Sequence, residues 1–459
     1  MSTKMYSKFG RKLRVIDNYK FRFHKLLAND VEKWVCTQKQ CNSAYLKIQD
    51  GQIIDEAHDH NHEPLPTSQL IRQKVMNGCK RRATEDIFDR PSKLIRRETR
   101  KEDLQVLNER DRDQIRKSIH GARMRVRPPL PHTLAELHDI LASLDIRTKL
   151  DEQFLLVNDD VHNLVIFSTA RNLDFLARSD ALLMDGTFNT CPSLFKQLFI
   201  LHGRKKHTYV PVAYCLLNGK TIENYQLTLQ KIRSLLPSSY EPPIVSADFE
   251  HNIHVAVRAV WPSTTIEGCR FHLGQAWFRK IQALGLVAKY RSKSPAGSFL
   301  RTFFGMPFLP PELAEEFFLE DLMAYAPPGD KQIREFCEYV YDTYVCETAR
   351  FPPSVWAKYS PRICRTTNAC EGFHARLNGM FYYAHPDVHL LSDALLEIQE
   401  RSYSKMLSVH FTKQRKRSSA KEASIQQFMD DYEDGKIHII DYVKKVSRKF
   451  LPDNIRKGH

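Results

Sequence analysis

Long hydrophobic runs are missing from this chain of 459 residues. The longest, Tyr209 to Leu217, is the length of a strand. It falls far short of the ~18 residues a membrane span needs, so no membrane partner is expected. Met1 to Gly10 is basic, but no apolar segment follows it, which argues against a secretory signal. Ten cysteines are scattered along the chain. Without a secretion signal they are expected as reduced thiols, some of them binding metal. There is no glycine-rich loop ending in Gly-Lys-Ser/Thr to cradle a nucleotide phosphate. No serine or cysteine sits beside an ordered base, and Cys269 with His272 is the nearest imitation of one. Internal repeats and low-complexity tracts are absent as well.

Acidic residues are outnumbered, 54 Asp+Glu against 69 Lys+Arg, for a net charge of +15. Residues 1–130 hold 29 basic and 17 acidic side chains, and the remainder holds 40 and 37. The excess is therefore concentrated at the front. A localised basic excess fits a polyanion, most simply nucleic acid, although a solvated basic linker has the same composition.

Four segments follow from the texture. Residues 1–66 contain strand-like alternation at Tyr19–His24 and Ala44–Ile48, with an Asp50-Gly51 hairpin signal before Gln52–Ile54. Residues 67–132 are helical and charged, with Arg81-Arg82 and Arg96-Arg97 as candidate DNA contacts. Residues 133–382 turn α/β. Strands are expected at Leu164–Phe167, Leu182–Met184, Phe195–Leu201, Tyr209–Leu217, Ile244–Ala247 and Thr264–Gly268. Helices are expected at Asn224–Leu236, Glu250–Val260 and Leu273–Ala283. From Leu182 onward that is three strands, helix, strand, helix, strand, helix, the order of an RNase H-like layered sheet. Residues 284–360 show helix and loop and are expected as an insertion. Residues 383–459 form a helical C-terminal tail with a basic tract, Lys413–Arg417, compatible with nuclear import. The fold class expected is α/β (α+β), preceded by a small β-rich module and a basic helical region.

That module is short of core and would gain from a metal staple. Cys36 and Cys41, then His60 and His62, supply two thiolates and two imidazoles, enough for a closed tetrahedral zinc site. His58 offers the same His-x-His spacing with His60, so the second pair is open.

Three acids invite a second metal site. Asp185 ends the apolar run Ala181–Met184, and Asp248 ends Ile244–Ala247. Carboxylates at the ends of adjacent strands can converge, and Glu371, near the start of a later helix, can join them. Acids with open positions suit Mg2+ or Mn2+. Each also has a plainer reading: a turn or cap for the aspartates, and a capping box from Asn368 for Glu371. Cys269 and His272 have the spacing of half a zinc site, which Cys364, Cys370 or His374 would have to complete; a buried thiol with a hydrogen-bonded histidine is the alternative. His374 lies one turn after Glu371 and can touch a DNA phosphate or order the carboxylate. Phe373, Leu377 and Phe381, spaced by four, read as a core stripe.

Two family resemblances run through these residues. Phe21, Phe23, Leu26, Trp34, Cys36, Cys41, His60 and His62 resemble the FLYWCH zinc finger, with an unusually short gap between the cysteines. The resemblance implies zinc on Cys36, Cys41, His60 and His62 and a module that contacts DNA or a protein. The region from Thr133 to Tyr383 resembles the transposase domain of Mutator-like elements. It does so through Asp185-Gly186-Thr187-Phe188, the Asp248 strand, Gly268–Trp277 and Arg365–His374. That implies an RNase H-like fold, a catalytic triad of Asp185, Asp248 and Glu371, DNA as substrate, and an assembly of two or more copies. The expectation is a nuclear DDE-type transposase, or a domesticated descendant, catalysing hydrolysis and strand transfer. A non-catalytic zinc-finger regulator derived from a transposase is the alternative.

Overall fold

The computed structural model describes residues 3–7, 10–85, 87–100, 107–126, 129–361, 368–409 and 416–452. Cys364, the Arg365–Thr367 part of the third motif and Lys413–Arg415 lie outside the described residues, as do the side chains of Asn368, Lys416 and Arg417. The chain divides into two compact units, Met1–Leu130 and Pro131–His459.

The first unit opens with six antiparallel strands, each paired with its neighbour in sequence: β1 (Thr3–Tyr6), β2 (Lys12–Ile16), β3 (Tyr19–Leu26), β4 (Glu32–Cys36), β5 (Tyr45–Gln49) and β6 (Gln52–Ala57). Asp50 (φ 50°) and Gly51 (φ 81°) are both left-handed between β5 and β6, as the tight hairpin requires. Among the described residues, the buried cluster around the cysteines is Ile16, Phe21, Trp34, Cys36, Cys41, Ala44, Leu46 and Ile48. So small a core leaves stability to be found elsewhere. Three helices follow, Thr67–Glu85, Pro91–Thr99 and Glu109–Val126. They pack through Val75, Cys79, Ala83, Leu94, Ile95, Ile115 and Ile119. Leu70 joins the first of them to Met5, Leu13 and Val15 of the sheet.

The second unit is built on a mixed sheet of seven strands: β7 (Leu155–Asp159), β8 (Leu164–Phe167), β9 (Ala181–Thr187), β10 (Gln197–Lys205), β11 (Thr208–Leu217), β12 (Ile244–Ala247) and β13 (Thr265–Gly268). Their spatial order is β13-β12-β9-β10-β11-β8-β7. β13, β12 and β9 run parallel, and the rest are antiparallel neighbours. Period-two alternation sends the two sides of β9 into different surroundings. Leu182 and Met184 join a core with Tyr225, Leu229, Ile253 and Val257 from the helices Ile222–Ser234 and His251–Val260. Ala181 and Leu183 meet Cys370 on the helix Asn368–Met380.

A separate core gathers Trp277, Phe303, Phe308, Phe336 and Trp356. Residues 284–360 are helix and loop in the described residues, as their composition suggested. The last helices, Lys416–Glu433 and Ile439–Ser447, do not stand off as a tail. Their Ile425, Met429, Ile440, Tyr442, Val443 and Val446 are buried in this same core, and Tyr442 Oη donates to Phe308 O at 2.9 Å. Among the described residues no helix is long and apolar enough to cross a membrane.

Candidate functional site

Strand register brings two of the three acids together. β12 runs parallel to β9 with Val245 opposite Leu182 and Ser246 opposite Leu183. Continued by two residues, that register sets Asp248 across from Asp185. Residues opposite one another on neighbouring strands share a face, here the face on which Ala181 and Leu183 meet Cys370.

Each acid is held by local bonds. Asp185 Oδ1 accepts the Gly186 N–H at 2.9 Å. Asp248 Oδ1 accepts the Glu250 N–H at 3.1 Å, and His254 Nε2–H donates to Asp248 O at 2.7 Å. Glu250 is itself fixed by Tyr225 Oη at 2.8 Å and Lys220 Nζ at 3.0 Å. Tyr225 Oη in turn accepts from Gln197 Nε2 at 2.7 Å. A Cβ at Gly268 would sit 2.5 Å from the Phe249 ring, so any larger residue would force that ring to move. Cys269 N–H donates to Ala247 O at 2.7 Å, which seats the start of the helix Arg270–Ala283, and with it His272, next to Asp248.

Glu371 arrives on the helix Asn368–Met380. Cys370 is fully buried, its Sγ 3.5 Å from His202 Nδ1. Phe373 packs on the rings of His202 and Tyr214 at 5.1 and 6.1 Å, and Leu377 and Phe381 complete the buried stripe. With those residues turned inward, His374 Nδ1 comes 3.6 Å from Asp185 Oδ2. Glu371 Oε1 and His374 Nε2 are buried without a hydrogen-bond partner.

Burial dominates the electrostatics. It lifts Asp185 to about 6, against His272, with Asp248 adding like charge. Burial lifts Glu371 to about 7, again against His272 and with Asp185 adding to it. Asp248 is raised for the same first reason. Burial disfavours charge on His272, but the Cys269 hydrogen bond and the charges of Cys269, Asp185 and Asp248 outweigh it and raise the ring to about 9. Burial first, then His272, lowers His374 to about 4. A set of desolvated acids, one with an orphaned oxygen, is short of positive charge and fits a divalent cation. The acids do not form a group whose ligand atoms all lie within 4.8 Å of one another. Asp185 feels the charge of Asp248, and Glu371 feels the charge of Asp185. Asp185, Asp248 and Glu371 are the residues that would hold divalent cations here, and such cations would supply Lewis-acid chemistry at a phosphate.

The raised Glu371 has a measurable consequence in metal-free protein. A carboxyl whose pKa rises on folding adds stability below its unfolded value and loses it as pH climbs through its folded one, here from 4.5 to about 7. Glu371→Gln protein in chelator is expected to melt roughly 2–4 °C above wild type at pH 8. The gap should close by pH 4, as scanning calorimetry at the two pH values would show. A gap independent of pH would contradict the burial of this charge.

Cys269 and His272 hydrogen-bond to each other, and the described residues bring them no further ligands at metal-binding spacing: Cys370 and His374 lie nearby in the fold but do not complete a group. The first unit does gather one. Ligand atoms of Cys36, Cys41, His60 and His62 all lie within 4.8 Å of one another. Cys36 Sγ is 3.2 Å from His62 Nε2, and Cys41 Sγ is 3.4 Å from His60 Nδ1. A tetrahedral zinc site has sulfur–nitrogen edges of about 3.5 Å, so the cluster could hold zinc. His62 Nδ1–H donates to Glu63 O at 2.9 Å and leaves Nε2 free to ligate. Tyr19 stacks on His60 at 3.6 Å. His58, the rival ligand, pairs instead with Glu56 Oε2 at 3.1 Å. Zinc measured by atomic absorption should therefore survive His58→Ala and be lost in His62→Ala; the reverse would reassign the ligands.

Of the arginines read as DNA contacts, Arg82 is engaged by Glu98 at 2.5 Å and Arg81 lies 3.8 Å from Glu85. Arg96 and Arg97 are exposed. Gln197, Tyr225 and Lys220 carry no sequence signal of their own. Glu250 does, as the acid two residues after Asp248.

Residues 181–276 match the MULE transposase domain. The matched stretch contains Asp185, Asp248, Cys269 and His272 and ends before Glu371. No curated protein matches the chain. The central part of the second unit is thus similar to a transposase domain.

Proposed function

We propose that this protein is a DDE-type DNA transposase, or a host-retained descendant of one, acting in the nucleus. Asp185, Asp248 and Glu371 hold Mg2+ or Mn2+ on an RNase H-like sheet. The Cys36–Cys41–His60–His62 module is a FLYWCH-type zinc finger that, with the basic helices and their exposed Arg96 and Arg97, retains DNA. The protein works as an assembly of two or more copies.

The observation that carries this reading is the register that sets Asp248 across from Asp185, with the unpartnered Glu371 Oε1 brought to the same buried corner. Bound there, the divalent cations would activate water or a 3′-hydroxyl and stabilise the departing oxygen. Gln197, Tyr225 and Glu250 keep the turn after β12 in register. Water attacks phosphorus and the P–O3′ bond breaks, leaving a 3′-hydroxyl. That hydroxyl then attacks a target phosphate and displaces its 3′-oxygen. Full-length protein should nick supercoiled plasmid in Mn2+ and leave it intact in chelator. Intact plasmid under both conditions would favour the non-catalytic regulator.

A further inference from the structure

The turn after β9 bears a feature that the acids do not explain. Phe188 stands three residues past Asp185 and is 46% exposed, although β9 before it is almost wholly buried. A single exposed phenylalanine is unremarkable by itself; this one is held in place. Lys220 Nζ lies over its ring, 4.4 Å from the centroid. The same ammonium pairs with Glu250 Oε2 at 3.0 Å and bears on Asp248. Along the backbone of the same turn, Cys191 N–H donates to Phe188 O at 3.1 Å, and His385 N–H donates to Asn189 O at 2.7 Å. His385 Nδ1 lies 3.0 Å from Cys191 O. A half-exposed phenyl ring with a cation over one face therefore stands three residues past Asp185, on a turn whose backbone is held. Lys220 keeps N–H donors beyond the one given to Glu250.

We propose that Phe188 and Lys220 form a nucleotide subsite. The phenyl ring stacks on a nucleobase next to the scissile phosphate, taken out of the duplex stack, and the ammonium meets the adjoining phosphate. Every base has a π-face, so such a subsite tolerates any sequence and favours positions that are already unpaired. The subsite rests on the DNA-cleaving reading for its place beside the scissile bond, but its occupancy can be read without cleavage.

The test uses full-length protein and a duplex with a single-stranded 3′ extension, with 5-iodouracil placed in turn at each position around the junction. Complexes are irradiated in Ca2+, and the cross-linked peptides are identified by mass spectrometry. A cross-link to Phe188 from one or two adjacent positions is expected. It should be lost in Phe188→Ala and kept in Phe188→Trp. In Mn2+, Phe188→Ala should cut the same duplex roughly 10- to 100-fold more slowly. An abasic residue at the cross-linking position should slow wild type to a similar degree and the variant no further. Cross-links confined to other residues, or wild-type cutting by Phe188→Ala, would overturn the subsite. A Phe188 cross-link without any Mn2+-dependent cutting by wild type would sink the cleavage reading and uphold the subsite.

Discussion

Asp185→Asn protein is expected to lose Mn2+-dependent DNA cleavage by roughly 10³-fold or more while keeping its DNA affinity. The size follows from the place of Asp185 among the acids. Its charge is the one coupled to both Asp248 and Glu371, so on the proposed reading an amide there disturbs the whole acid set. Cations at such sites supply several kcal/mol of transition-state stabilisation, and each 1.36 kcal/mol is tenfold in rate. Asp248→Asn and Glu371→Gln each remove one of the other acids and should also fall below about 1% of wild type. The amides are close to isosteric, and each removes a buried charge, so the fold should persist; equal circular dichroism and equal plasmid retention in chelator would establish that. Cleavage by Glu371→Gln at the wild-type rate would reduce that residue to a helix-start acid.

Stripping the first unit of metal is expected to have the largest effect on stability. The cluster of Cys36, Cys41, His60 and His62 ties β4 and the loop after it to the segment beyond β6. The hydrophobic cluster around it has eight buried residues, two of them the cysteines themselves. Structural zinc contributes about 10–16 kcal/mol of apparent binding free energy in isolated fingers, more than so small a core can replace. Full-length Cys41→Ser protein, or wild type in a strong chelator, should become protease-sensitive within residues 3–66. Cleavage sites in the second unit should not change, because its cores contain no metal-spaced Cys/His group among the described residues. Persistent resistance of residues 3–66 in metal-free protein would show that the cysteines merely fill the core.

Much of this organisation is legible in the sequence where one residue type has one job. The apolar runs ending in Asp185 and Asp248 are strands, and their acids fall at matching heights because parallel strands keep register. Asp50-Gly51 makes its hairpin since few other pairs tolerate left-handed backbone twice. The stripe of Phe373, Leu377 and Phe381 is buried as its spacing implied. Partnerships between distant residues are not legible in this way. Gln197, Tyr225 and Glu250 form one chain of hydrogen bonds although each pair lies 25 or 28 residues apart. Arg82 looks like a free DNA contact until Glu98 is seen beside it. His62 joins the Cys/His cluster while His58 lies beside Glu56, an ordinary surface acid in sequence. The C-terminal helices read as a tail because the core that receives Tyr442 and Val443 is assembled from helices far away in the chain.

Anomalous X-ray diffraction from Mn2+-soaked crystals of the full-length protein bears most directly on the acid site. Manganese density is expected at the corner formed by Asp185, Asp248 and Glu371. The metal at Cys36, Cys41, His60 and His62 gives an internal reference in the same crystal. A strong peak at that reference with none around Asp185 would contradict the proposed chemistry.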